Sequence, residues 1–286
     1  MKYKFIKEYS EKFPVSRICH ILKISKSGYY AWVKNPKSQR DKDNDLLVEK
    51  IKDYHQQSRE KYGSPRIYQD LKENNIQCGL NRVARLMKIN NIQAKLKKRF
   101  KITTDSNHKE PIADNVLDRN FSAKEKNKKW VSDITYINTA EGWLYLCIVM
   151  DLYSRSIVGW SMDNNMRTKL VMDAFMMAYK KRKPLGKIIF HSDRGVQYAS
   201  NEFTEMLKSK NCIASMSRKG NCWDNACAES FFHTLKTEEV NFQYYKTREE
   251  AKRNIFEYIE VFYNRKRRHS TLDYMSPKNF ELKKVV

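Results

Sequence analysis

The sequence predicts an α/β domain with a mixed five-stranded sheet and flanking helices, preceded by small all-α units. Three observations carry this. Up to residue 94 the apolar residues recur three and four positions apart, the stripe of an amphipathic helix. From Trp130 onward, runs of strand length follow one another closely and then alternate with helical stretches. Between the two lies a polar segment without an apolar period, the composition of a linker.

Residues 1–40 read as a helical unit. Val15, Ile18, Cys19 and Leu22 form one stripe, Ser25 to Gly28 interrupts it, and Tyr29, Tyr30 and Trp32 follow. This is the outline of a helix-turn-helix, and equally of an ordinary helical hairpin. Residues 44–101 repeat the theme. Leu47, Ile51 and Tyr54 mark one helix; Tyr62-Gly63-Ser64-Pro65 is a turn whose proline suits the start of the next; Ile67, Tyr68 and Leu71 mark that next helix. Asn81 is placed to cap a third, with Val83, Leu86 and Met87 inward and Arg82, Arg85 and Lys88 outward. Such a basic face suits a major groove, with a solvated surface as the plainer alternative.

Residues 95–101 hold five positive charges in seven positions. Lys97, Lys98 and Arg99 at their centre suit a phosphate backbone, or else a solvated linker. Residues 102–129 read as that linker. Strands are expected over 130–138, 144–152, 156–160, 187–190 and 212–216, and helices over 167–181, 201–209, 224–239 and 248–264. Together they divide into a core, 130–240, and a basic helical extension, 241–286.

The formal charge is +23, from 56 Lys and Arg against 33 Asp and Glu. It is concentrated at the front: residues 1–128 carry 30 basic and 15 acidic groups, and residues 129–286 carry 26 and 18. This balance favours a polyanionic partner, with double-stranded nucleic acid first and an anionic membrane surface second. No transmembrane run, signal peptide or lipidation motif supports a membrane reading, so a cytoplasmic protein is expected. The six cysteines form no CxxC pair, and no histidine pair has zinc-finger spacing, so reduced thiols are expected. Cys147, in an apolar run, reads as a small buried hydrophobe.

In so basic a chain three carboxylates stand out. Asp133 falls inside a strand, Asp193 just past the end of one, and Glu229 near the start of a helix, with thirty-five residues between the last two. The end of a strand in an α/β sheet is where ligands usually bind. Only a fold can bring the three together, and their repulsion would then call for cations. Oxygen donors without His or Cys favour Mg²⁺ or Mn²⁺. Two such ions roughly 3.5–4 Å apart serve in-line phosphoryl displacement. Along the helix, Lys236 lies seven residues past Glu229 and about 20° around the axis, with His233 between them. His191-Ser192-Asp193 is no hydrolytic triad, because consecutive residues point apart. His191 and Ser192 read as structural or supporting, and Asp151 as a strand-end residue orienting the Tyr153-Ser154-Arg155 turn.

These residues carry a resemblance. Residues 130–137 (Trp-Val-Ser-Asp-Ile-Thr-Tyr-Ile), 191–198 (His-Ser-Asp-Arg-Gly-Val-Gln-Tyr) and Asn221 to Glu238 are similar to the OrfB transposases of bacterial insertion sequences, the family founded on the third-numbered element. Residues 44–101, with Tyr62-Gly63, Arg82-Val83 and Arg85-Leu86-Met87, resemble that family's helix-turn-helix segment. Tyr263-Asn264, Arg268-His269, Leu272, Tyr274 and Pro277 resemble its C-terminal segment.

The resemblance implies an RNase H-like, retroviral-integrase-like core in which Asp133, Asp193 and Glu229 bind two Mg²⁺ or Mn²⁺ ions. Asp133 bridges both ions, and Asp193 and Glu229 each favour one. The implied chemistry is cleavage at the 3′ ends of an insertion sequence, followed by strand transfer. Lys236, with His233, is expected near the terminal phosphates. Arg82, Arg85, Lys97, Lys98, Arg99, Arg267 and Arg268 are expected among the DNA contacts. The implied partners are DNA of the element ends and target, further copies of the chain, and the upstream OrfA product or its fusion. No heptad run long enough for a leucine zipper is present, so the chain reads as the downstream product alone. Two other classes compete: a metal-dependent nuclease or resolvase that cuts without joining, and a non-catalytic DNA-binding regulator.

Overall fold

The computed structural model describes residues 2–35, 37–95, 112–219 and 221–283. The chain divides into two compact units, Met1–Ala94 and Lys95–Val286.

The first unit is all helical. Helices α1 (Lys2–Tyr9), α2 (Val15–Ile21) and α3 (Lys26–Lys34) share a core of Ile6, Ile18, Cys19 and Tyr29. The interruption comes earlier than the sequence suggests: Ser25 caps α3 by accepting from the Gly28 amide at 2.8 Å, and Gly28 lies inside that helix. Helix α4 (Gln39–Gln57) starts with a capping box between Ser38 and Asp41. Helices α5 (Ser64–Glu73) and α6 (Leu80–Ile89) follow, with Ile51, Ile67, Leu71 and Val83 all fully buried. Asn81 does not cap α6; Gly79 occupies that place and Asn81 sits within the first turn.

The second unit is built on a sheet. Strands β1 (Lys129–Thr139), β2 (Gly142–Asp151) and β3 (Ser156–Asp163) come first, then α7 (Thr168–Arg182), β4 (Ile188–Ser192), the short α8 (Val196–Ala199), α9 (Asn201–Ser209) and β5 (Cys212–Met216). A 3₁₀ turn at Cys222–Asn225 leads into α10 (Ala226–Glu238). Helix α11 (Arg248–Phe256) continues as a π-helical stretch to Tyr263, and α12 (Pro277–Lys283) closes the described chain.

The sheet order is β3-β2-β1-β4-β5. The β1–β2 and β2–β3 pairs are antiparallel, while β1–β4 and β4–β5 are parallel. Two tight hairpins explain the first three strands, and helical crossovers explain the parallel pairs. The mixed five-stranded sheet with flanking helices is the RNase H-like arrangement. β1 lies at its centre, so Asp133 stands in the middle of the sheet.

Helix α7 packs close on β3 because Gly159 has no side chain. A Cβ there would lie 2.2 Å from the Ala174 carbonyl oxygen and 2.7 Å from the Ala178 nitrogen. Trp130, Val149, Phe175, Phe190 and Phe203 fill the core between sheet and helices. Each buried side chain of this size contributes roughly 1.5–3 kcal/mol. Met172 and Met176 pack against the same core, and Cys147 is fully buried with its thiol pushed up to about 12 by loss of solvent.

Residues 112–128, expected as linker, are not a free tether. Leu117 is buried, its amide donates to Ser215 Oγ at 3.1 Å, and the Met216 amide donates to the Asp114 carbonyl. The earlier part of that expected linker lies outside the described residues.

Candidate active site

The parallel pairing of β1 with β4 aligns Val131 with His191. Two residues further along each chain come Asp133 and Asp193. Asp133 is still within β1 and Asp193 lies just past the end of β4, so this register brings the two positions near one another, and the charge of Asp193 acts on Asp133. The Ile134 amide donates to Asp133 Oδ1 at 2.8 Å, and the Gly195 amide donates to Asp193 Oδ1 at 3.0 Å.

Glu229 comes from the first turn of α10, and a side chain beside the site locates that helix. Asn225 Nδ2 donates to the Ser132 carbonyl at 3.1 Å, which joins the start of α10 to the residue before Asp133. Asp224, fully buried, anchors the preceding turn: it accepts from Arg218, Arg119 and Asn115, and Arg218 first of all holds its carboxyl far below the usual range. On the opposite side of β1, Ser132 Oγ and the Tyr198 hydroxyl lie 2.8 Å apart, pinning the strand to α8. The sequence reading missed this framework. Asp224-Asn225 ahead of a helix was the available signal, but the partners lie up to 109 residues away.

The three acids feel one another. Asp133, partly buried, is raised well above the usual carboxylate range, by desolvation first and then by the charges of Asp193 and Glu229. Glu229, on the outer side of its turn, is raised by desolvation and by Asp193. Lys236 is lowered by desolvation, while Asp133 pulls it the other way. Its Nζ also stands 5.0 Å from the centre of the Tyr136 ring, a cation–π distance. The structure thus gathers Asp133, Asp193, Glu229 and Lys236, with His233 exposed on the same helix. Among the described residues, no three His, Cys, Asp or Glu side chains close tightly enough to hold an ion. The donor chemistry still suits a hard cation: the acids are all oxygen donors, and the charge of Asp193 raises the proton affinity of both Asp133 and Glu229, a repulsion that a divalent ion relieves.

His191 is fully buried between Ser215 Oγ (2.9 Å) and Ser217 Oγ (3.2 Å), and burial pushes it down to about 4, so it is a neutral structural group. Asp151 accepts from the Asn127 and Tyr153 amides and orders the turn after β2.

Two expected DNA contacts are corrected. Arg267 is buried and forks onto Glu238 at 2.7 and 2.8 Å; Arg268 is buried too and donates to the Tyr274 carbonyl. Burial of a charge demands a partner, and each of these arginines has one inside the fold. Arg85 is exposed, whereas Arg82 is half-buried and donates to Asn44 Oδ1 at 2.9 Å. Lys97, Lys98 and Arg99 lie outside the described residues.

Comparison with known proteins places this chain in a family. Residues 123–222 and 229–285 match family models of an integrase core domain, and residues 42–100 match an HTH-like domain. The fold and these matches define an integrase-type, RNase H-like core joined to a helix-turn-helix-like DNA-binding module. The chain is 38% identical to the transposase InsF of insertion sequence IS3A from Escherichia coli K12, over 100% of both chains. It is 42% identical to an insertion element IS600 31 kDa protein from Shigella sonnei, over 93% of this chain and 98% of that one. The chain belongs to the IS3 family of insertion-sequence transposases. Among solved structures, the Mos1 mariner transposase catalytic domain is similar at 12% identity and TM-score 0.42, covering 48% of this chain and 71% of that one. The HTLV-2 integrase catalytic core in complex with magnesium is similar at 18% identity and TM-score 0.33, covering 40% and 70%. Among the described residues, no helix is long and apolar enough to cross a membrane.

Proposed function

We propose that this transposase cleaves the 3′ ends of its insertion sequence and joins them to a target by in-line phosphoryl transfer at Asp133, Asp193 and Glu229. The observation that carries this reading is the β1–β4 register, which brings Asp133 near Asp193, with Glu229 electrostatically coupled to both. Asp133 would ligate two Mg²⁺ or Mn²⁺ ions, with Asp193 and Glu229 each completing one. Bound there, the ions would lower the pKa of the attacking hydroxyl and stabilise the leaving oxygen.

The chain's own residues prepare that chemistry. Asn225 and Asp224 hold the first turn of α10 so that Glu229 stays at the site. Lys236 grips a terminal phosphate, and its lowered proton affinity reflects a desolvated position that strengthens such a contact. In the first step water attacks a phosphodiester and frees a 3′-hydroxyl; in the second that hydroxyl attacks a target phosphodiester and displaces another 3′-oxygen. The reaction takes place on the nucleoid in the cytoplasm, with more than one copy of the chain on paired ends.

The test is a labelled element end incubated with the purified chain and Mg²⁺, with and without the upstream OrfA product. Nicking and joining that both vanish in Glu229→Gln, with DNA binding kept, are expected. Nicking without joining would favour a nuclease, and retained joining would overturn the triad.

A further inference from the structure

Residues 15–34 lie outside the matched helix-turn-helix-like stretch, which begins at residue 42. Their geometry is nevertheless that of a reading head. Helices α2 and α3 are joined by four residues, Leu22 to Ser25. Lys23, in that turn, takes a left-handed φ of 51°, which reverses the chain within so short a link. Cys19, a small side chain only 2% exposed, lies in the core that α2 and α3 share. Ile18, Leu22, Ile24, Tyr29 and Trp32 supply the rest of that core with α1.

Helix α1 covers one side of α3 and leaves the other bare. The Tyr3 ring stacks on Trp32 at 5.7 Å, and a Cβ at Gly28 would lie 2.9 Å from the Tyr3 hydroxyl, so glycine there lets α1 approach. Lys2 Nζ donates to the Leu22 carbonyl, satisfying the end of α2. On α3 the bare residues are Lys26, Ser27, Tyr30, Ala31, Val33 and Lys34. At 100° per residue they span a continuous face of about 160°. Ser25 caps this helix, so Lys26 and Ser27 stand at its amino end, the end that a recognition helix presents to base edges.

We infer that α3 is a second DNA-reading helix, which inserts Lys26, Ser27 and Tyr30 into a major groove of the element end. The inference rests on the chain being a transposase, not on the metal chemistry. Charge supports a DNA partner: residues 2–35 hold eight Lys and Arg against two Glu. Place supports base reading over phosphate gripping. Lys26 and Ser27 stand at the amino end of the helix, and Tyr30, 51% exposed, lies one turn on between the two lysines. With the Ala31 methyl they offer groups that can hydrogen-bond base edges or meet a thymine methyl.

The experiment selects binding sites for the full chain from a pool of duplexes carrying a random 20-base-pair core, in EDTA so that no catalysis intervenes. The wild type is expected to enrich a defined motif. The variant Lys26→Ala/Ser27→Ala/Tyr30→Ala is expected to lose base preference over one contiguous block of that motif and keep the rest, with preference for the wild-type motif falling at least roughly tenfold. All three side chains are exposed, and an unchanged melting temperature confirms that the variant folds. Recovery of the complete motif by the variant would overturn the inference. So would a wild type that enriches no motif, or a variant whose affinity falls equally on motif and random DNA, since that is phosphate contact alone. A wild type that enriches a motif in EDTA but does not cleave the element end in Mg²⁺ would count against the metal site and leave this inference standing.

Discussion

The two units of this chain reach order by different routes. In Met1–Ala94 the helices are marked largely by local signals, apolar spacing and caps such as Ser25 and Ser38, and stripe residues such as Ile18, Leu47, Ile51, Ile67, Leu71 and Val83 are buried. In Lys95–Val286 the decisive contacts are remote: Asn225 to Ser132, Asp224 to Asn115 and Arg119, Arg267 to Glu238, Asn264 to Ile157. The first unit is built mainly from local motifs, whereas the second is a network in which polar side chains from distant segments fix a few atoms in place. Substitutions in the second unit should therefore separate chemistry, stability and binding more sharply than those in the first.

The largest effect is expected at the acids. Asp133→Asn or Glu229→Gln should lower end cleavage on the order of a thousandfold or more, since several kcal/mol of charge stabilisation is lost. DNA affinity measured in EDTA should hold, and a parallel loss of binding would break the contrast. Arg267→Ala comes next. It strands Glu238 in the core and should cost about 3–5 kcal/mol, read as a fall in melting temperature. If the variant instead melted normally and bound DNA weakly, Arg267 would be a surface contact after all.

A smaller, pH-dependent effect is expected at Asp151. Burial raises its carboxyl from 3.8 to about 6. The folded chain thus holds this proton more tightly than the unfolded one, and Asp151 lowers stability as pH rises through that window. Asp151→Asn should remove this fall, seen as a flatter difference in melting temperature between pH 4 and 6; an unchanged profile would show that another group dominates there. The smallest effect is expected in the basic stretch. Lys97→Ala/Lys98→Ala/Arg99→Ala should reduce the slope of log affinity against log salt by up to about 2.7 if all three meet phosphates. An unaltered slope would make that stretch a solvated connector.

How much was legible follows the same divide. The five strands were read within a few residues, because their apolar runs are long and bounded by turn residues. The Ser25-to-Gly28 interruption was misread because a glycine inside a helix looks like a break until Tyr3 is seen lying against it. Asn81 looked like a cap, yet the chain begins the helix earlier, at Leu80. Arg267 and Arg268 looked like surface cations because net charge carries no information about burial.

The sequence by itself determined the class of each segment, the strongly basic balance and the motifs that carry the family, since periodicity, composition and motif are properties of neighbours along the chain. Only the tertiary structure decided that Asp133's strand pairs with the strand leading to Asp193, and what anchors the turn before Glu229. A parallel register between β1 and β4 is a relation between strands separated by two further strands and a helix, and the anchoring of α10 through Asn225 spans 93 residues. Such relations depend on closing long loops, whose entropy is repaid only when the whole sheet and core form together.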